Sequence, residues 1–170
     1  MPILRITKHG ERVLKTPCPR VRYDELAPEL PGLLRDMWAT MNAARGVGLA
    51  APQIGLDLRL AVIDVRPQGK SSRLVLINPE ILSADGDQTD EEGCLSIPGV
   101  YAKLKRAARV RVRALDADGK PWEMTGEGLL ARAFQHEIDH LDGKLYVDRL
   151  PFEQRLKVLD VIKDAKVHWP

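Results

Sequence analysis

Glu127-Gly-Leu-Leu-Ala-Arg-Ala-Phe-Gln-His-Glu-Ile-Asp-His-Leu141 is the stretch that organises the chain. Its apolar residues Leu129, Leu130, Ala133, Phe134, Ile138 and Leu141 recur at helical spacing and cover most of the circumference, which predicts a helix buried on nearly all sides. Thr125 is the expected N-cap and Gly143 the C-terminal stop. A buried helix carries polar groups only where they are partnered or used. His136 and His140 lie one turn apart on one face, so both imidazoles can reach a single metal ion. Glu137 sits about 100° around the helix from His136, close enough to act on a water at that ion without ligating it. In a chain with four histidines, His-Glu-x-x-His arises by chance only about 0.005 times.

Working outward, Leu30, Leu33, Leu34, Met37, Trp38 and Met41 mark an amphipathic helix from about Glu29 to Arg45, started near Pro28 or Pro31 and stopped at Gly46. Leu58–Val65 and Arg73–Ile77 read as strands, the second ended by Asn78-Pro79. Val110, Val112 and Ala114 alternate with Arg109, Arg111 and Arg113, a strand with one solvated face. The Asp116-Ala-Asp-Gly119 turn lets Trp122–Thr125 return antiparallel. A last helix from about Phe152 to Lys166 shows one apolar stripe through Phe152, Leu156, Leu159 and Ile162 and belongs on the surface. The first 27 residues read as irregular, with Pro17-Cys18-Pro19 extended. The expected class is α+β: antiparallel or mixed sheets around a buried central helix carrying His-Glu-x-x-His, with an N-terminal helix and a C-terminal surface helix.

At 170 residues the chain is expected to be one domain, 1–170, with enough length to bury a sizeable core. Its 26 Lys+Arg against 24 Asp+Glu leave a net charge of +2, which with 5% aromatic residues argues against a nucleic-acid binder, so no specific DNA partner is expected. No apolar run approaches a membrane span, and Met1–Lys8 lacks the apolar core of a signal peptide; a cytoplasmic protein without membrane association is expected. Two cysteines, Cys18 and Cys94, exclude a disulfide-stapled scaffold.

A catalytic metal site wants three protein ligands and an open position. Downstream of His140, Asp142, Asp148, Glu153 and His168 stand in no recognisable ligand spacing, which argues against an ordinary zinc peptidase. Upstream, Cys94 follows Gly93 in Glu91-Glu-Gly-Cys-Leu-Ser-Ile-Pro98, and a thiolate is a strong, soft ligand. Gly46-Val-Gly-Leu-Ala-Ala-Pro-Gln53 is a run of small residues that admits close backbone approach. It lacks the Lys-Ser/Thr of a phosphate loop, and Gln53 offers an amide N–H to a developing oxyanion.

Taken together, Gly46-Val-Gly-Leu-Ala-Ala-Pro-Gln53, Glu92-Gly-Cys-Leu-Ser96 and Gln135-His-Glu-Ile-Asp-His140 resemble, in order and in every required letter, the three motifs of the bacterial peptide deformylases. The resemblance runs over roughly residues 3 to 165. It implies that Cys94, His136 and His140 bind one divalent ion, with water in the fourth position attacking the formyl carbon of a nascent formyl-Met polypeptide. Glu137 would serve as general base and acid, and Gln53 with the Leu95 backbone N–H would stabilise the oxyanion. By the same resemblance the ion is Fe²⁺, with Zn²⁺, Ni²⁺ or Co²⁺ able to replace it. Val47, Leu129 and Ala133 match the methionine pocket, Gly48 and Gly93 the backbone that meets the peptide, and Tyr101 one side of the groove.

Asp90 and Arg132 match positions at the pocket mouth that many members fill with aliphatic residues. Their opposite signs suggest a pair across the mouth, or a hold on substrate. Glu92 is implied to pair with Arg106 and keep Gln53 and the cysteine turn in register. The C-terminal helix is implied to touch the ribosome transiently. A structural metal prop would need a fourth protein ligand, and the only unused cysteine, Cys18, lies far upstream between two prolines. His9, His168 and the Arg109, Arg111 and Arg113 face read as ordinary surface or packing residues.

Overall fold

The computed structural model describes residues 2–170. The elements, in chain order, are α1 (Tyr23–Leu26), α2 (Leu30–Ala43), β1 (Gly48–Ala50), β2 (Leu60–Ile63), β3 (Leu74–Asp85), β4 (Gln88–Cys94), β5 (Ile97–Arg106), β6 (Arg109–Leu115), β7 (Pro121–Glu127), α3 (Gly128–Leu141) and α4 (Phe152–Ala165). β1, β2, β3, β6 and β7 form one sheet in that order, and β4 pairs with β5 in a second. Every ladder is antiparallel. Among the described residues no helix is long and apolar enough to cross a membrane.

The buried run of β2 shows why α3 is enclosed. Leu60 and Val62 point into one core with Met37, Trp38 and Met41 of α2, whereas Ala61 and Ile63 point into another with Ala131, Phe134 and Ile138 of α3. Alternate side chains of a strand face opposite sides of the sheet, so α2 covers one face of the larger sheet and α3 the other. A third core joins Val100, Ala102 and Leu104 of β5 to Val158 and Ile162 of α4. The hairpin β4–β5 therefore rests on its own apolar base beside α3.

β6 has the predicted alternation, with Val110, Val112 and Ala114 buried between exposed Arg109, Arg111 and Arg113. Other expectations change. Asn78-Pro79 does not end β3, which continues to Asp85 past a register shift between Ile77 and Glu80. Proline lacks a ladder N–H and is tolerated at such an irregularity. Asn78, at φ 51°, uses its side-chain amide to bind both the N–H and the C=O of Val21. Thr125 does not cap α3; it pairs with Arg111 inside β7, which runs straight into the helix. The buried side of α4 is Val158 and Ile162, while Phe152 and Leu156 are exposed. Gly143 does end the turn after α3, at φ +76° and so close to the Lys15 carbonyl that a Cβ would lie 2.8 Å from its oxygen.

Candidate metal centre

α3 carries His136, Glu137 and His140, the first two of which line a cavity, and the tip of the β4–β5 hairpin presents Cys94. Cys94 pairs with Ile97 across the two-residue turn Leu95-Ser96. The Cys94 Sγ lies 3.4 Å from His140 Nε2, and the two histidine Nε2 atoms are 3.2 Å apart. All three donor atoms fall within 4.8 Å of one another. With metal–nitrogen bonds of about 2.0–2.1 Å and metal–sulfur of about 2.3 Å, tetrahedral ligands stand roughly 3.3–3.6 Å apart. The 3.4 Å separation lies in that range, the 3.2 Å one just below it, and the third is within 4.8 Å, so the donor set fits one divalent cation.

Glu92 stands behind His136. Its Oε2 accepts from His136 Nδ1 at 2.7 Å and from Arg106 Nη2 at 2.6 Å; its Oε1 accepts from Arg132 Nη1 at 2.8 Å and from Arg106 Nε at 3.1 Å. Burial works against the Glu92 charge, but hydrogen bonds from His136 and Arg106 outweigh it and hold this carboxyl well below the usual carboxylate range. A carboxylate on the far ring nitrogen fixes the tautomer and turns Nε2 toward a metal. Arg106 also donates to Asp139 at 2.6 Å, and Asp139 accepts from Arg149 at 2.8 Å, which carries the charge network to the surface.

Glu137 is 3% exposed, and its Oε1 has no hydrogen-bond partner. Burial pushes its carboxyl up to about 7, against the opposing pull of His136. The glycine loop makes room for it: a Cβ on Gly48 would lie 2.8 Å from the Glu137 Cδ. Gly48→Ala should therefore displace the carboxylate, and any reaction that uses this carboxylate should slow by about tenfold or more, since small misplacements of reacting groups cost heavily. The melting temperature should fall far less, because the strained group faces a cavity. Gln53 sits in the tight turn Ala51–Ile54. Its Oε1 accepts from the Ala50 N–H at 3.0 Å, so its Nε2 faces Ser96 Oγ at 3.1 Å and Cys94 Sγ at 3.6 Å. The amide N–H is thus aimed at the same point as the three metal donors.

The family model for polypeptide deformylase matches residues 3–156. A peptide deformylase of Acidobacterium capsulatum is 48% identical over 164 residues, 96% of this chain and 95% of that protein. The crystal structure of a peptide deformylase from Legionella pneumophila superposes with a TM-score of 0.87 at 47% identity, covering 99% of this chain and all of that one. That from Thermus thermophilus superposes at 0.89 with 40% identity, covering 98% and 96%. This chain belongs to the peptide deformylase family. Peptide deformylases are metal-dependent hydrolases that take the N-formyl group off nascent peptides, and this chain is an enzyme of that class.

A cavity of about 620 Å³ opens beside the metal donors of this deformylase. Val47, Gly48, Gly93, Tyr101, Leu129, Arg132 and Ala133 all line it, together with Gln53, Leu95, His136 and Glu137. Val47 and Leu129 are large apolar residues left partly exposed at its wall. The Tyr101 ring lies over Gly93, where a Cβ would come within 2.6 Å of the ring edge.

Two expectations are corrected. Arg132 does not pair with Asp90 across the mouth: Arg132 is 5% exposed and bound to Glu92, while Asp90 is exposed and accepts from the Glu91 N–H. The Glu92–Arg106 pair exists, but it grips His136 rather than Gln53, whose partners are Ala50, Ser96 and Cys94. The sequence assigns no role to Ser96 or Asp139, although both are letters of the quoted motifs, and does not single out Arg149. Asp139 left a trace, as a charged residue one turn from His136 in a helix whose apolar residues cover most of its circumference.

Proposed function

We propose that this chain releases formate from the N-formylmethionine of nascent polypeptides, with Cys94, His136 and His140 holding one Fe²⁺ and Glu137 moving the proton. The observation that carries this reading is the convergence of three donor atoms from two separate segments on one point, beside a buried carboxylate with an unpartnered oxygen. Bound there, the cation supplies Lewis acidity, which makes water nucleophilic near neutral pH and polarises the formyl oxygen.

The chain's own groups divide the remaining work. Glu137 takes the proton of the attacking water and delivers it to the departing amine. The Gln53 Nε2–H and the Leu95 backbone N–H donate to the oxygen on which negative charge develops. Val47, Leu129 and Ala133 enclose the methionine side chain, Gly48 and Gly93 leave backbone groups open to the peptide, and Tyr101 closes one side.

A thiolate with two imidazoles accepts Fe²⁺, Zn²⁺, Co²⁺ or Ni²⁺; the motif resemblance favours iron. The thiolate also calls for a reducing compartment, the cytoplasm, because oxidation of Cys94 would remove a ligand. The motif resemblance supports a transient contact of α4 with the ribosome; the exposed Arg155, Lys157, Lys163 and Lys166 are nearly balanced by exposed Glu153, Asp160 and Asp164 and add little to it. Anaerobic purification followed by metal analysis should find about one iron per chain, and almost none in Cys94→Ala. Predominant zinc with equal or higher specific activity would overturn the iron assignment.

A further inference from the structure

Arg132 lies one helical turn before His136 on α3, on the same face. Although it lines the cavity, its charge is not offered to substrate. The side chain is buried, Nη1 donates to Glu92 Oε1 at 2.8 Å, and Nη2 donates to the Leu104 carbonyl at 3.0 Å. Glu92 is thereby filled. A carboxylate has about four lone-pair sites, and here they receive Arg106 twice, Arg132 once and His136 once.

The chain positions of these groups matter as much as their distances. Glu92 is on β4, two residues before Cys94; Arg106 and Leu104 are on β5; Arg132 and His136 are on α3. Arg106 alone would tie Glu92 to its own hairpin and, through Asp139, to a later turn of the helix. Arg132 is the group that fastens the Glu92 carboxylate to the turn of α3 that precedes His136, and its second nitrogen fastens the same turn to β5. The ligands come from both bodies: Cys94 from the hairpin, His136 and His140 from the helix.

We propose that Arg132 is a positioning residue of the metal centre, which acts through Glu92 to hold the hairpin thiolate and the helix imidazoles in register. It is not a substrate-binding charge. This rests on the ligand set proposed above. Lysine cannot replace it in full, because one ammonium cannot reproduce the planar fork that serves Glu92 and the Leu104 carbonyl together.

The test is Co²⁺ binding measured against a competing chelator, together with the visible spectrum of the Co²⁺ protein. Arg132→Met keeps an unbranched stem along the cavity wall and should weaken Co²⁺ binding by about tenfold or more, as loss of groups that orient metal ligands does. Its cobalt bands should shift. Arg132→Lys should fall between Arg132→Met and wild type, and serves as the variant to read if the first does not fold. Val112→Ala, in the core beneath α3, should lower the melting temperature and leave Co²⁺ affinity unchanged. The inference is overturned if Arg132→Met keeps wild-type affinity and spectrum, or if Val112→Ala loses as much affinity as Arg132→Met. Wild-type affinity in Cys94→Ala would overturn the ligand set, and with it the inference; a loss there alongside intact Arg132→Met overturns the inference alone.

Discussion

Glu137→Gln should lower formate release by about 10²–10⁴-fold, the usual contribution of a positioned acid–base group, while metal content stays at one per chain. The substitution preserves shape, so the cavity and the Gly48 contact survive, yet an amide cannot accept the water's proton. The side chain is buried with one oxygen unpartnered, so that oxygen is free to receive the proton. Neither His136 nor His140 is altered. Steady-state kinetics on a formyl-Met peptide, paired with metal analysis of the same sample, checks both halves. Activity within a few fold of wild type would remove Glu137 from its role.

The largest stability effect is expected at Glu92. Removing one partner of a buried ion pair costs about 3–5 kcal/mol, because a charge is left uncompensated in a poorly polarisable interior. Glu92→Ala strands two guanidinium groups: Arg106 keeps only Asp139, and Arg132 keeps only the Leu104 carbonyl. Domains are stable by only about 5–15 kcal/mol in all, so the variant should unfold at markedly lower denaturant and temperature. His136 would also lose the acceptor for its Nδ1. Chemical denaturation of the metal-free forms isolates the ion-pair cost from the cost of lost metal. A difference below about 1 kcal/mol would show that the network is solvated and structurally minor, as exposed pairs are.

Those two residues also mark how far the sequence could be read. Helix α3 was legible because both its apolar circumference and its i, i+4 histidines are local patterns, and β6 because buried and exposed residues alternate without a break. The hairpin that carries Cys94 was not read as strands. Gln88–Cys94 is polar almost throughout and gives no period-2 signal, although Val100, Ala102, Leu104 and Arg106 of β5 do alternate in burial.

Asn78-Pro79 looked like an ending because a proline removes a ladder bond; a register shift absorbs it instead. In α4 the predicted stripe holds for Leu159 and Ile162, which pack on β5 with Val158. It fails for Phe152 and Leu156, which fit the helical period yet lie away from β5 and are exposed. The motif resemblance places Arg132 at the mouth, and opposite charge alone pairs it with Asp90. Only the fold shows that Glu92, far away in sequence, is the nearer carboxylate and is itself buried. Pairing among charged residues from separate segments is set by tertiary placement, which no spacing rule reports.

This site should hydrolyse a formyl amide and leave the peptide chain alone. The direct measurement is formate release from a formyl-Met tripeptide by anaerobically prepared wild-type protein, with peptide-bond cleavage followed in the same reaction. The account predicts one formate per substrate consumed and an intact Met-peptide product. Cleavage of an internal peptide bond, or no formate from protein carrying one metal per chain, would contradict it.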